Sequence, residues 1–547
     1  HAALARTPPR GSSMISPYVI CAAFGFGGFA LGLAVAFMLL RRTRGPEMNG
    51  DIEKPKEQTN GVTDQPPLRQ PTMGATLSQH RPSWRGASLR LQSDLSGIYG
   101  FGRYSQSSRI LVCMVGLPAR GKSYITKMLM RYLQWTGIEV RDFNAGQVRR
   151  QEGRAGASAD FFANNAENAA IRERIASTCM EEAITWLGEQ ASVSVAIFDA
   201  TNTTKKRRAE IVKRCEERKG ITAVFVESIC DDPAILEENY RMKLGNQDYN
   251  GMDPGQARAD FLARVKAYEG RYETIEDSED AGGISYIKLF NVGEKVVMHH
   301  CSGYLPSQLG FYLSNIHISP RSIWLARHAE CEDEVLGVLG PTSGRLTDRG
   351  TNFCTALGEY LQRRRSEMAA GGEMVVFIGT APVHSASLDA LSVRRNASTD
   401  DSPSASRAYF AMTTSLLNEL GGGDLHGITY ETIKNEYPEL WAEREQDKLH
   451  FRYPGPGGES YSDVMSRLRP IIIELERQRR SVLVISHLAV QRCLYAYFAG
   501  HPLKDVPYIN IDKHTVVELR PGPHGCGVDE IKLDEEQLSF SAGKSGN

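Results

Sequence analysis

The sequence predicts an α/β protein of two domains, and three observations predict it. At 547 residues the chain exceeds what one hydrophobic core organises. Near residue 110 a short apolar strand runs into a glycine loop and then a helical apolar pattern, the strand–loop–helix unit of a mostly parallel sheet. Two further apolar strands, some 160 residues apart, each lead into a histidine at 328 and 487, which sets a second layered domain behind the first.

Composition narrows the classes. Lys+Arg 64 against Asp+Glu 65 leaves a formal charge of -1, so no global field favours nucleic acid, and aromatic-basic clusters are lacking. The ten cysteines are scattered, with no C-x-x-C pair, which points to a reducing compartment and away from structural zinc. Residues 1–44 read as an N-terminal membrane anchor. Tyr18 to Leu40 is an uncharged, mostly apolar run, roughly 35 Å long as a helix against a bilayer core of about 30 Å. Arg41, Arg42 and Arg44 follow it and would hold everything downstream in the cytoplasm. The chain begins with a histidine, and Met14 is a candidate initiator. Residues 45–108, rich in Pro, Gln, Thr, Ser and Gly, read as a disordered linker, and residues 396–406 (NASTDDSPSAS) as an exposed loop.

The first domain is placed at 109–318. Arg109 to Val115 reads as a strand, and Lys122 onward as a helix. Between them Gly116, Leu117, Pro118, Ala119, Arg120, Gly121, Lys122 and Ser123 form a G-x-x-x-x-G-K-S loop, whose amides and following helix N-terminus suit a nucleotide's phosphates. Lys122 would reach the β- and γ-phosphates, and Ser123 would ligate Mg²⁺. A second strand, Ser192 to Phe198, delivers Asp199 beside the loop, where a carboxylate serves the metal or orients the nucleophile. The same carboxylate could also cap the helix expected over Thr204 to Cys215.

With FNAGQVRR (143–150), FDATNTT (198–204) and ESICDDP (227–233) in this order, the loop resembles the 6-phosphofructo-2-kinase/fructose-2,6-bisphosphatase family. The resemblance spans about Arg109 to Leu533. It implies ATP and Mg²⁺ as cofactors and transfer of a phosphoryl group to the 2-hydroxyl of fructose 6-phosphate. It also assigns catalytic roles to Lys122, Asp199 and Lys243, and sugar-phosphate contacts to Arg149, Thr201, Arg207, Arg264 and Tyr268. Arginine forks match phosphate oxygens, so the assigned residue types suit that role. A homodimer is expected.

The second domain is placed at 319–535, with 536–547 as a tail. Strands Ser322 to Leu325 and Ser481 to Ile485 end at Arg327-His328 and Ser486-His487. With Leu417-Asn418-Glu419 and Arg452-Tyr453-Pro454, they resemble the phosphoglycerate mutase-like fold of histidine phosphatases, in the version fused to the kinase above. The resemblance makes His328 the nucleophile, Arg327 and His487 holders of the phosphoryl oxygens, and Glu419 the general acid. Tyr430, Arg444, Lys448, Tyr453 and Arg492 would bind the fructose 2,6-bisphosphate.

Four positions depart from the family's pattern. Ala329 stands for a glycine, Glu334 for an asparagine, His384 for an arginine and Leu488 for a glutamine. A like charge 4 Å from a bound anion costs about 4 kcal/mol at an effective dielectric of 20. These changes predict a strongly impaired phosphatase beside an intact kinase. The alternatives are a balanced bifunctional enzyme, a non-catalytic scaffold binding ATP and sugar phosphate, and a kinase for another acceptor such as a polynucleotide end.

Overall fold

In a computed structural model the described residues run from 109 to 533, apart from 155, 157–158, 163–165, 219, 280–283, 341–342, 368–373, 393–408 and 523–524. The expected anchor at 18–40, the linker at 45–108, the loop at 396–406 and the tail lie outside them.

The first lobe is a six-stranded sheet in the order β2-β3-β1-β4-β5-β6. Its strands are β1 (Arg109–Val115), β2 (Glu139–Asn144), β3 (Ser194–Asp199), β4 (Ile221–Ile229), β5 (Tyr286–Phe290) and β6 (Lys295–His299). All pairings are parallel except β5 with β6. β1 and β3 are buried nearly throughout and read as continuous apolar runs, as strands covered on both faces do. The crossovers include α1 (Lys122–Trp135), α2 (Ala166–Glu189), α3 (Lys205–Glu216), α4 (Pro233–Leu244) and α5 (Pro254–Glu269). Thr204 caps α3 by accepting from the Arg207 amide, so Asp199 is spared that duty.

After α6 (Tyr304–Leu313) the second lobe forms another six-stranded sheet, ordered β12-β11-β7-β10-β8-β9. Its strands are β7 (Ile323–Arg327), β8 (Met374–Ile378), β9 (Tyr409–Thr413), β10 (Val482–Ser486), β11 (Thr515–Gly522) and β12 (Gly525–Lys532). β7, β10, β8 and β9 are parallel, while β11 and β12 add an antiparallel edge. The helices used below are α7 (Asp348–Glu367), α8 (Pro382–Ser392), α9 (Tyr461–Arg467), α10 (Arg469–Arg477) and α11 (Leu488–Ala499). Both lobes are thus α/β layers, as the sequence predicts.

The lobes do not have separate cores. One buried apolar cluster runs from Ile110, Ile125, Leu129 and Trp135 of the first lobe to Ile472, Leu494, Tyr497 and Phe498 of the second. A buried polar knot lies in the same seam. Glu476 pairs with Arg131 and, at 3.1 Å, with Arg321, and accepts from the Tyr497 hydroxyl at 2.7 Å. No described helix is long and apolar enough to cross a membrane.

Candidate active sites

In the first lobe, strand register gathers the site. Asn144 pairs with Asp199 across β2 and β3, and Cys113 with Phe198 across β1 and β3, so three strand ends open on one crevice. The loop after β1 turns there. Gly116 has φ 135°, and a Cβ on it would lie 2.5 Å from the Ser228 carbonyl oxygen, so only glycine lets the loop lie against β4. Lys122 curls back and donates to the Gly116 and Leu117 carbonyls at 2.9 and 2.6 Å. Arg120 turns from the crevice to the Pro118 carbonyl and the Tyr240 hydroxyl.

The crevice is a cavity of about 590 Å³. Pro118, Ala119, Gly121, Lys122, Ser123, Arg149, Asp199, Thr201, Arg207, Lys243, Arg264 and Tyr268 all line it, so the sequence-predicted residues meet in one place. Asp199 accepts from Ser123 Oγ at 3.3 Å and from Asn144 Nδ2 at 2.7 Å. Burial raises its carboxyl against the pull of Lys122 and Lys243. Burial likewise depresses Lys243, and takes Lys122 down to about 7 against the opposing attraction of Asp199. The hydroxyl and carboxylate oxygens of Ser123 and Asp199 are the hard donors a magnesium ion takes, so the residues present fit it.

Two residues here are not among those the sequence assigned a role. Asp248 accepts from Arg149 at 2.5 Å and sits 3.5 Å from Arg264, fastening both guanidiniums. Asn144 steers Asp199, and its place at a strand end beside the loop could have marked it. Arg207 is also tied, to Glu173 and to the Ser177 hydroxyl at 3.0 Å.

In the second lobe four parallel strands point their carboxyl ends at one pocket. Ser486 pairs with Arg327 across β10 and β7, so His487 and His328 lie side by side just beyond, with ring centroids 4.5 Å apart. β8 leads to α8, which carries His384, whose ring stands 4.5 Å from His487 and 6.0 Å from His328. His384, which stands where the family's pattern has an arginine, therefore lands in the pocket. Gly379 makes room for that ring, because a Cβ there would strike it. β9 leads to Glu419, whose Oε2 is 3.7 Å from His487 Nδ1.

His328 Nδ1 donates to the Ala329 carbonyl at 2.9 Å. A carbonyl only accepts, so this tautomer leaves the lone pair on Nε2. Burial lowers the His328 and His487 imidazoles and raises the Glu419 carboxyl, giving neutral rings beside a carboxyl inclined to hold its proton. Arg467, which the sequence did not mark, donates to the Asn418 and Glu419 carbonyls and pairs with Glu459, so it holds the loop bearing that acid.

The expected bisphosphate contacts fall into groups. Arg444 donates to the Tyr453 hydroxyl at 2.9 Å and lies 5.7 Å from the Tyr430 ring. Lys448 pairs with Glu445 and faces Tyr508. Arg492 instead donates to the Ile509 carbonyl and the Tyr461 hydroxyl.

The four departures differ in kind. Glu334 forms an ion pair with Arg327, and Lys513 joins it at 3.5 Å. Ala329 has no positive φ and packs into the apolar cluster with Phe353 and Cys354, so it leaves the backbone at the nucleophile unstrained. Leu488 packs on the shared core.

Two α/β lobes with a phosphate-loop crevice in one and a histidine pair at strand ends in the other define a kinase joined to a histidine phosphatase-type domain. The profile of 6-phosphofructo-2-kinase matches residues 100–320, and that of histidine phosphatase superfamily (branch 1) matches residues 403–534. The chain is 39% identical over 435 residues to 6-phosphofructo-2-kinase/fructose-2,6-bisphosphatase of Aquarana catesbeiana, covering 79% of this chain and 87% of that one. It is 40% identical over 446 residues to the Caenorhabditis elegans protein of the same name, covering 80% and 92%. Isoform 4 from Homo sapiens is 40% identical over 428 residues, covering 78% and 85%. The chain belongs to the bifunctional 6-phosphofructo-2-kinase/fructose-2,6-bisphosphatase family.

Proposed function

We propose that this chain makes fructose 2,6-bisphosphate from ATP and fructose 6-phosphate, and that its phosphatase half is strongly impaired. Lys122 and the loop amides would hold the nucleotide's terminal phosphates. Arg149 and Arg264, fixed by Asp248, together with Arg207, Thr201 and Tyr268, would hold the sugar phosphate with its 2-hydroxyl toward the γ-phosphoryl. Lys243 would meet charge that develops on the transferred group, and Asp199 would orient the acceptor or accept its proton. Mg²⁺, held through Ser123 and Asp199, would supply neutralisation of phosphate charge.

In the second lobe His328 Nε2 would attack phosphorus, with Glu419 protonating the departing sugar oxygen. The observation that carries the impairment is the Arg327–Glu334 ion pair. The guanidinium that should grip the phosphoryl oxygens is already neutralised, and a dianion entering beside Glu334 meets a like charge.

The test uses the full chain. With ATP and fructose 6-phosphate it should form fructose 2,6-bisphosphate. With Lys122→Ala silencing the kinase, it should release phosphate from fructose 2,6-bisphosphate on the order of a hundredfold or more slowly than an intact relative. Release at the relative's rate would restore the balanced bifunctional reading. Glu334→Asn, which frees Arg327, should raise that release.

A further inference from the structure

The phosphatase pocket has an unusual charge inventory. Arg327 is paired with Glu334, Lys513 faces Glu334 and Glu330, and Arg467 is paired with Glu459. The three rings that meet at its floor are imidazoles, and burial holds all three toward the neutral form. A doubly charged phosphoryl group arriving there finds no cation without a carboxylate partner among these groups. One ring stands apart from the other two. His384 is fully buried, and neither of its nitrogens has a hydrogen-bond partner. A buried imidazole normally satisfies at least one nitrogen, because a polar atom taken out of water without a partner loses its hydrogen bonds uncompensated. This ring, packed edge to face against His328 and His487, has the hydrogen-bonding capacity of both its nitrogens unspent.

We propose that this pocket takes a phosphate-like dianion together with a proton, which the His384 imidazole accepts from solvent. The proposal rests on the reading of this pocket as a phosphoryl site. The titratable groups facing His384 are His328 from the end of β7 and His487 from the start of α11, with Arg327, Glu334, Glu419 and Arg467 behind them. With the pocket empty, burial and His328 hold His384 at about 3. A dianion reverses the sign of its surroundings and stabilises the imidazolium, so the ring changes from a neutral filler into the missing cation. Binding then draws a proton wherever the pH lies between the empty and occupied values. Affinity falls as pH rises through that window, by about tenfold per unit for one proton.

Sulfate is the probe, because its charge is constant from pH 5 to 8. ATP at saturation fills the nucleotide end of the kinase crevice, Arg264→Ala as a background shared by every sample, the unmodified chain included, weakens anion binding at its sugar-phosphate end, and titration calorimetry in buffers of different ionisation heat counts protons taken up. Three full-length proteins are compared: the unmodified chain, His384→Arg and His384→Gln. The unmodified chain should take up close to one proton per sulfate near pH 5.5, and lose about tenfold in affinity by pH 6.5. His384→Arg should bind sulfate with no proton uptake and little pH dependence. His384→Gln, which keeps the pocket neutral and spares the fold if the charged variant misfolds, should bind weakly at every pH. Sulfate binding to the unmodified chain without proton uptake overturns the proposal alone, as does full uptake retained in His384→Gln. No sulfate binding to any of the three proteins overturns the phosphoryl-site reading along with it.

Discussion

At the scale of single residues, Lys122 is the side chain whose environment most constrains its use. It is buried among Lys243, Arg120 and Arg264, with Asp199 as its counterion, and its ammonium is depressed to about 7. The protonated form is the one that binds phosphate, and in the empty crevice it is lost as pH rises through that value. Bound phosphates pull the ammonium back up. Accordingly, kcat/KM for ATP should fall above about pH 7 while kcat at saturating ATP holds level further into alkali. Parallel loss of both would mean that bound phosphates do not raise the titrating group, and a kcat/KM level through about pH 8 would mean that Lys122 stays charged in the empty crevice. Removing the side chain in Lys122→Ala should cost the kinase about 10²- to 10³-fold, the scale of one lost preorganised donor. Asp248→Asn addresses a different residue-level claim. Without the carboxylate that fastens Arg149 and Arg264, the two guanidiniums repel and shift, and KM for fructose 6-phosphate should rise by up to about a hundredfold. An unchanged KM would show that both arginines hold position unaided.

At the scale of elements, the join between the lobes carries a pH response. His317, between α6 and β7, accepts from the Ser319 amide at Nδ1, so its proton sits on Nε2, which donates to the Gln478 carbonyl at 2.9 Å. Burial and Arg321 depress this imidazole from 6.5 to about 4. The folded form therefore resists a proton that the unfolded chain accepts below its ordinary value. Stability from this group is complete above pH 6.5 and drains as pH falls toward 4, by on the order of 3 kcal/mol at the lower end. Denaturant melts of His317→Gln against the unmodified chain should show a shallower acid slope in the variant. Equal slopes would place the acid response elsewhere, His384 being the next buried imidazole. The strands flanking these sites were legible because central parallel strands are apolar on both faces. β1 runs over Arg109–Val115 as expected, β3, β7 and β10 lie within about two residues of expectation, and their carboxyl ends carry the residues read from the motifs. What stayed hidden was pairing between residues far apart in the chain. Nothing local marks Asp248 as the partner of Arg149, or Arg467 as the clamp on the Glu419 loop. Glu334 was legible as a foreign charge, but its capture of Arg327 appears only when β7 and the segment after it are folded together. Ala329 shows a further limit of motif reading: its backbone is not in the left-handed region, so the conformation there does not require the motif's glycine.

At the scale of the whole molecule, the two active sites hang on two helices that pack together. α1 begins at Lys122 of the phosphate loop, and α11 begins directly after His487. Trp135 Nε1 of α1 donates to the Cys493 carbonyl of α11 at 3.4 Å, and the Arg131 guanidinium lies 4.7 Å from the Tyr497 ring. Tyr312 of α6 stacks on Tyr132 of α1, with centroids 4.2 Å apart, and its hydroxyl lies 3.1 Å from that of Tyr497. Glu476 of α10 is the one carboxylate among these groups, facing Arg131 and Arg321 together. Cutting the chain near residue 318 would lay this surface open to water, which is why activities of either half belong to the intact chain. Glu476→Gln keeps the shape and removes the charge, leaving two buried guanidiniums facing each other across a neutral amide. Losing one member of a buried ionic group costs about 3–5 kcal/mol, because the survivors keep their desolvation penalty without its compensation. The variant should unfold at lower denaturant in a single transition, with kinase activity and the fluorescence of Trp324 and Trp441 in the second lobe lost together. Two separated transitions, with the second lobe melting where it does in the unmodified chain, would show instead that the shared core does not couple the lobes, and that each active site stands on its own sheet.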